Sequence, residues 1–255
     1  MEEKAGMMGK ETGVGLPTSI EVAWGLREPV IKGPKRFLTL ERIVRTAIKI
    51  AEESGLGAVS MSRIAGELNS STMSLYRYVS AKDELLPLMV DQAFGPPVVP
   101  EKECDGWRAG LEHWSWSYLA VLRRHAWVIR VPIGGPPSTP NQVAWVEQGL
   151  SFLADVKLHE SEKMSTILLL AGIVRNDAML ASTYEAFAKA GSSGGEIMMD
   201  YRRLIERLAD KEHFPAINQV IEAGVFDSAD DQDTEFTFAL NRVLDGVDAL
   251  IRGRA

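Results

Sequence analysis

A run of polar side chains between residues 72 and 82 carries the groups that could do chemistry in this sequence. Hydroxyl, guanidinium and ammonium groups recur there at short spacing, at Thr72, Ser74, Tyr76, Arg77, Tyr78 and Lys82. Ser, Thr and Tyr hydroxyls bond phosphate oxygens, and an arginine bonds either a phosphate or a base edge. The run therefore predicts contact with nucleic acid, provided that a folded element presents these side chains on one exposed face.

The charge distribution supports this prediction, although the net charge of −7 at first argues against it. Between Lys32 and Lys82 there are nine basic and four acidic residues, a balance of +5, which leaves −12 for the rest of the chain. A basic segment beside an acidic body is typical of a protein with one end that faces a polyanion.

Four helices are predicted to hold this segment, and they span about 40–54, 61–68, 72–79 and 82–94. Thr39 and Ser60 are suitable N-caps for the first two helices, and Gly55 is a natural residue to end the first. The sequence Ser80–Asp83 predicts a capping box at the start of the fourth helix, which contains Pro87. Short amphipathic helices with a tight turn before the third are typical of a helix-turn-helix motif.

The same segment resembles a known family. The run LTLERIVRTAIKIAEESGLGAVSMSRIAGELNSSTMSLYRYVSAKDELLPLMVD is similar to the DNA-binding domain of tetracycline-repressor proteins, above all in Leu-Tyr-Arg-Tyr-Val followed by a lysine. The resemblance implies that Lys82 anchors a phosphate, that Tyr76 contacts the backbone or a thymine methyl, and that Ser74 contacts a base edge or phosphate. Thr72 and Arg77 are expected as further partners on this face, whereas Tyr78, like Tyr76, could instead be half-buried and structural.

One position departs from the family pattern. Many relatives carry two basic residues where this chain has Ser62 and Arg63. In those relatives the first of the two basic residues is an arginine that contacts a guanine. Ser62 stands at that position here, so this contact is not expected and the operator sequence stays open.

The first 36 residues are rich in glycine and lack helical or strand periodicity, so we expect a mobile extension with a short turn near residues 24–26. Its basic end includes Lys35 and Arg36. Such residues can enter a minor groove beside the reading helix, or they can form a solvated linker.

The breaks at Gly95–Pro97 and Pro100 predict a boundary between a DNA-binding domain at 37–94 and a second domain at 95–255. No period-two alternation is present, so the predicted fold class is all-α. Further helices are predicted at about 105–124, 125–131, 141–156, 161–190, 196–209 and 233–252.

Two of these helices have apolar stripes that could form a four-helix bundle across a two-fold axis. The last helix contributes Phe236, Leu240, Leu244, Val247 and Ile251, with Val243 and Leu250 adjacent, and the segment from Ser161 contributes Met164, Ile167, Leu168, Ala171, Val174, Ala178, Met179 and Ala181. By periodicity alone the stripes could equally form the core of a monomer. The resemblance assigns them to the dimer helices, which favours a homodimer.

Five of the six tryptophans lie between 107 and 145, an aromatic density that fits either a core or a pocket for a largely apolar ligand. Trp114, Tyr118 and Trp127 are the candidate pocket residues. The alignment that the resemblance implies places Trp114, Pro132 and Val98 where tetracycline repressors bind their drug and its magnesium ion. None of the three can do so, and a magnesium–tetracycline effector is disfavoured.

Several function classes are disfavoured by composition. One cysteine and four histidines predict neither a disulfide nor a metal site or cofactor, and a cytoplasmic location is the default. We expect no membrane span and no signal peptide. Residues 191–195 match G-x-S-x-G, but a nucleophile elbow needs a preceding strand, so Ser193 is not expected to be catalytic and the protein is not expected to be an enzyme.

The sequence therefore predicts a transcriptional repressor that binds a palindromic double-stranded DNA operator as a homodimer and is released by a small, largely apolar effector. Two alternatives remain. One is a helical carrier or enzyme with a vestigial DNA-binding head, which predicts weak, salt-labile DNA binding. The other is a dimeric scaffold without affinity for DNA or ligand.

Overall fold

The structure is a computed structural model that describes residues 17–26, 38–133, 135–189, 191, 193–227 and 233–254. The basic residues Lys35 and Arg36 lie outside the described residues. All regular elements in the described ranges are helices, so the all-α prediction is confirmed. The α-helices are α1 (Thr18–Ala23), α2 (Leu40–Ser54), α3 (Met61–Glu67), α4 (Thr72–Leu75), α5 (Lys82–Phe94), α6 (Gly106–Arg124), α7 (Pro140–Ser151), α8 (Glu160–Lys189), α9 (Gly194–Leu208), α10 (Pro215–Glu222) and α11 (Thr234–Arg252).

The chain divides into two compact units. The first contains residues 1–93 and 135–143, and the second contains residues 94–134 and 144–255. Helix α7 therefore begins in the first unit and ends in the second. A single boundary near residue 94 does not describe this division, because the start of α7 belongs with the N-terminal helices.

The predicted caps of the first unit are confirmed. The side chain of Thr39 accepts a hydrogen bond from the Arg42 amide at 3.2 Å, and that of Ser60 accepts one from the Arg63 amide at 3.2 Å. Gly55 follows α2 with φ at +81°, a left-handed conformation that glycine adopts without strain. These caps satisfy amides that would otherwise lack a partner in the first turn.

Helix α4 is shorter than the predicted 72–79. It ends at Leu75, and residues 76–78 continue as a turn in which the Tyr78 amide bonds the Leu75 carbonyl at 2.8 Å. Asn69, with φ at +48°, makes the tight turn before α4. Leu75 and Val79 are fully buried, which fixes the orientation of the polar residues between and before them.

Residues 17–26 form a short helix and a turn, although the sequence analysis places them in a mobile extension. Ser19 and Ile20 are buried in the first unit, and both the amide and the hydroxyl of Ser19 donate to Oε1 of Glu84. The indole N–H of Trp24 donates to the Ser138 carbonyl at 2.8 Å. These partners lie 65 and 114 residues away in the chain, beyond the reach of local pattern reading.

The predicted capping box Ser80–Asp83 is wrong, because the N-cap of α5 is Ala81, which has no side-chain oxygen, and the carboxylate that reaches back over the helix start is that of Glu84 and not of Asp83. The Ser80 amide donates to Oε2 of Glu84 at 2.6 Å. The shift by one residue follows from the backbone, since the first carbonyl of α5 to accept is that of Ala81 and the third helical residue is then Glu84. Burial alone would raise the pKa of Glu84, but the hydrogen bonds from Ser19 and Ser80 outweigh it and hold this pKa below its usual value.

The core of the second unit forms around α6, α8 and α11. Arg123 of α6 bonds Asp177 of α8 at 3.2 Å and Asp233, directly before α11, at 2.7 Å. Burial raises the pKa of Asp177 in spite of this guanidinium. The predicted helix at 125–131 is a 3₁₀ helix, Ala126–Arg130, and α10 was not predicted.

The stripe predicted on the last helix is mainly a feature of the chain's own core. Phe236, Leu240, Leu244 and Val247 are all buried within the single chain, as the monomer-core alternative states. Ile167, Val174 and Ala178 of α8 are likewise buried. These buried residues therefore belong to the core of the chain, whereas Leu168, Met179 and Leu250 of the same predicted stripes are exposed and stay candidates for a dimer contact.

Close packing between α6 and the end of α7 leads to a stability prediction. A Cβ atom at Gly110 would lie 2.2 Å from Cδ1 of Phe152, so Gly110→Ala must displace the ring. We expect a loss of about 1–3 kcal/mol in the free energy of unfolding, measured by urea titration with far-UV circular dichroism. Gly195→Ala in α9 is the control, since its Cβ meets open space. Equal stability of the two variants would contradict the packing.

Candidate nucleic-acid interface and effector region

One buried side chain fixes which residues of α4 face outward. Leu75 is fully buried, whereas Tyr76 is 46% exposed and Arg77 is also exposed. Thr72 and Ser74 are half-buried on the preceding turn. The structure therefore brings four of the predicted contact residues together at one short helix and the turn that follows it.

Two of the predicted contact residues already have partners within the chain. The hydroxyl of Tyr78 donates to the Leu38 carbonyl at 2.9 Å and ties the end of the reading segment to the residue before the cap of α2. The hydroxyls of Ser74 and Ser71 lie 2.9 Å apart, and the Ser74 amide donates to the Ser71 hydroxyl, which caps α4. This hydrogen bond favours the structural role for Tyr78 that the sequence left open.

The flanking residues are placed by α3 and α5. Ser62 and Arg63 are exposed near the start of α3, and the Arg63 guanidinium donates to the Ser54 hydroxyl at 2.9 Å. Lys82 is the first residue of α5, in the turn that the Glu84 carboxylate organises. A lysine at this position lies beside the first amides of a helix, an arrangement that favours an anion.

In the second unit, Trp114 belongs to a packed aromatic cluster of Phe94, Trp114, Tyr118 and Trp145. Its ring stacks on Tyr118 at a centroid distance of 5.1 Å, and its indole N–H donates to the Trp145 carbonyl at 2.8 Å. Trp114 is only 2% exposed. This geometry favours a core role for Trp114 over a pocket role, the two roles that the aromatic density allows.

Two other groups of the second unit are candidates for contact with a ligand. Trp127 and Ser115 are buried, and neither the indole N–H of Trp127 nor the Ser115 hydroxyl has a hydrogen-bond partner among the described residues. Burial raises the pKa of the Tyr118 hydroxyl, and the nearby Arg175 of α8 opposes this rise. The sequence analysis does not name Ser115 or Arg175; the one signal is the polar run 175–177, which interrupts the apolar residues of α8.

An apolar surface extends along α8 and α11. The exposed residues are Leu168, Leu169, Met179 and Leu180 on α8, and Phe238 and Leu250 on α11. A groove of about 410 Å³ lies between the two helices, lined by Leu169, Val243, Gly246 and Leu250 among others. Helix α8 is long and apolar enough over Glu160–Ala188 to cross a membrane by length and composition alone, and 28% of its most apolar window is buried. The helix itself is predicted at about 161–190, but the expectation of no membrane span does not account for this apolar window.

Together, the capped short helices and the exposed polar face of α4 define a helix-turn-helix protein with a separate helical unit. Residues 43–89 match the sequence profile of the tetR family of bacterial regulatory proteins, and residues 99–251 match that of the tetracyclin repressor-like C-terminal domain. The transcriptional repressor DrrR1 of Streptomyces coeruleorubidus is 34% identical over 239 residues, which cover 92% of this chain and 87% of that protein.

Solved structures give the same result. Apo ActR from Streptomyces coelicolor superimposes with a TM-score of 0.73 at 28% identity, covering 87% of this chain and all of that one. ActR in complex with actinorhodin gives a TM-score of 0.70 at 27% identity, covering 85% and 98%. The chain belongs to the tetR family, and it is a DNA-binding transcriptional regulator and not an enzyme.

The different roles of the two tyrosines can be tested by removing one oxygen atom from each. We expect Tyr78→Phe to lower the free energy of unfolding by about 1 kcal/mol, because the Leu38 carbonyl loses its donor. Tyr76→Phe should leave stability unchanged, because its ring is already half-exposed. Urea titration of both variants checks this, and an equal loss in the two would contradict the assignment.

Proposed function

We propose that this protein is a ligand-responsive repressor that acts in the cytoplasm, binds a palindromic double-stranded operator as a homodimer, and is released by a small, largely apolar effector. Residues 37–94 act as the DNA-binding domain, and residues 95–255 bind the effector and form the dimer. The observation that carries the proposal is the exposed polar face of α4 above the buried Leu75, with Lys82 at the next helix start.

The proposed DNA contacts differ in kind. Tyr76 and Arg77 are the exposed groups at the end of α4, with Thr72 at its start, and they are the candidates for base edges and phosphates. Lys82 contacts a phosphate and fixes the register of the helix. Ser62 cannot supply the guanine contact of an arginine, so sequence preference depends on α4 and on Arg63 next to Ser62.

The DNA-binding proposal is tested by selecting bound sequences from a random duplex pool and measuring affinity by fluorescence anisotropy over a range of salt concentrations. We expect the Tyr76→Phe, Lys82→Ala double variant to lose tenfold or more in affinity, roughly the value of one charge-assisted contact. The slope of log affinity against log salt should fall by about 1, since one phosphate contact is removed.

The matched control is Lys102→Ala, which removes the same charge from an exposed position in the second unit. Wild-type protein that selects no sequence and binds weakly with a steep salt dependence would favour a carrier with a vestigial head. Absence of any binding would favour a scaffold. An unchanged salt slope in the double variant would exclude Lys82 from the interface.

The dimer is proposed on the apolar surface of α8 and α11 defined above. Soluble monomers rarely expose contiguous apolar patches of this kind, and two helices per subunit suffice for a four-helix bundle across a two-fold axis. Such an interface also accounts for the low burial of the apolar window of α8, because the partner subunit and not a lipid bilayer would cover it.

A charge placed in the groove should prevent association. We expect Leu169→Glu combined with Leu250→Glu to shift the protein to a monomer in sedimentation-velocity experiments, because association would then have to remove two carboxylates from water. Ile133→Glu, at a residue that is 77% exposed and lies outside both helices, is the control and should remain dimeric. A dimer that survives the double substitution would place the interface elsewhere.

The effector site is proposed in the second unit, at α6, α8 and the 3₁₀ helix that carries Trp127. Buried polar groups are nearly always bonded, so the free Trp127 N–H and Ser115 hydroxyl favour a ligand that supplies an acceptor to one and a polar group to the other. The density of aromatic residues between positions 107 and 145 favours a largely apolar ligand. ActR has been solved with actinorhodin, which shows that a similar protein binds a small molecule.

A further inference from the structure

We propose that Asp91 is a positioning residue that fastens the start of α7 to α5, the helix that follows the helix-turn-helix. A displacement of α7 would then reach α3 and α4, the helices that face DNA. The proposal rests on the proposed function and adds the residue through which the response is transmitted. All of the hydrogen bonds that join α5 to α1 and to the start of α7 lie within the first unit.

The contact between Asp91 and α7 consists of four hydrogen bonds. Oδ1 of Asp91 accepts from the amides of Asn141 and Gln142 at 2.7 and 3.2 Å. The Asn141 side-chain amide donates to Oδ2 at 3.0 Å and to the Asp91 carbonyl at 3.1 Å. Asp91 is 9% exposed, so a carboxylate has been taken out of water to make this contact.

A local cap was possible at the same place, but the structure does not use it. Thr139 occupies the N-cap position of α7, since its carbonyl accepts from the Val143 amide at 3.0 Å. Threonine is a good N-cap, yet the Thr139 hydroxyl is buried without a hydrogen-bond partner among the described residues. A carboxylate from another helix caps α7 instead. A cap needed for local stability alone would not require α5.

A second connection joins the same two helices through α1. Glu84, seven residues before Asp91 and therefore on the same face of α5, accepts from Ser19 of α1. Trp24, just after α1, bonds the carbonyl of Ser138, two residues before α7 begins. This face of α5 is thus connected to the start of α7 twice, directly at Asp91 and by way of α1 at Glu84.

The other end of α7 is tightly packed in the second unit. The carbonyl of Trp145 accepts from the Trp114 indole, and a Cβ atom at Gly149 would lie 2.8 Å from Cδ1 of Ile167 and 3.3 Å from Nε1 of Trp114. A continuous hydrogen-bonded helix moves nearly as a rigid rod over three turns. A shift at residues 145–149 therefore reaches Asn141 and Gln142, and Asp91 passes it to α5.

The test displaces α7 without a ligand. Gly149→Ala inserts one methyl group against Ile167 and Trp114, and affinity for the selected duplex is measured in four proteins: wild type, Gly149→Ala, Asp91→Ala and the double variant. We expect Gly149→Ala to change the affinity by about 5- to 150-fold when Asp91 is present, the usual range of coupling between sites. In the Asp91→Ala background the same substitution should change it by less than about twofold.

Amide hydrogen exchange in α2–α5 is measured in parallel and does not depend on DNA. It should respond to Gly149→Ala only when Asp91 is present. If wild type binds no duplex, the proposed function fails, while hydrogen exchange still decides the role of Asp91. Asp91→Asn, which keeps one acceptor oxygen, should retain part of the coupling and replaces Asp91→Ala if that variant does not fold.

Two results would overturn the proposal. One is an equal fold-change for Gly149→Ala in both backgrounds, which would mean that the displacement bypasses Asp91. The other is no response of affinity or exchange in the Asp91 background, although circular dichroism and α7 exchange show that the substitution perturbs the helix. Gly195→Ala, in open space on α9, is the control and should have no effect in either background.

Discussion

The first unit depends on satisfying the first amides of helices that are too short to be stable alone. Helices α3 and α4 have seven and four residues, well below the length at which an isolated helix persists in water. Their starts are capped by Ser60 and Ser71, and their apolar sides are fixed by Ile64 and Leu75, which are fully buried. Because the Leu75 side chain is held in the core, the side chains of the next two residues, Tyr76 and Arg77, face outward. The exposure of the reading face thus follows from one buried leucine and one capping serine.

Local signals were sufficient to predict much of this unit. The roles of Thr39, Ser60 and Gly55 depend on neighbours within four residues, and the structure confirms them. The features that were missed involve partners far apart in the chain, such as Tyr78 with Leu38, Ser19 with Glu84 and Asp91 with Asn141. Each is a hydrogen bond between a side chain and a group 40 to 65 residues away, and no periodicity or capping pattern encodes such a pair.

The second unit shows a different limit of prediction from sequence. Periodicity located α6, α8 and α11 correctly, but it could not tell which neighbour covers an apolar stripe. Phe236 and Leu240 were assigned to a partner subunit and are instead buried against their own chain. Phe238 and Leu250, less prominent in the pattern, are the exposed ones. Helix α10 was missed although Pro215 at its first turn is a recognisable start signal, because only eight residues follow the helical pattern.

The connection between α5 and α7 is made of hydrogen bonds, and this choice has a consequence for regulation. A carboxylate that accepts from two successive amides has a narrow range of favourable distances and angles, and a displacement of about 1 Å either carries the partner along or breaks the bonds. Such a contact behaves as a two-state element, which is what transmission between an effector and a DNA-binding face requires.

Burial of Asp91 strengthens this behaviour, because a carboxylate released from α7 without access to water would be strongly unfavourable. The helices therefore move together before the contact breaks.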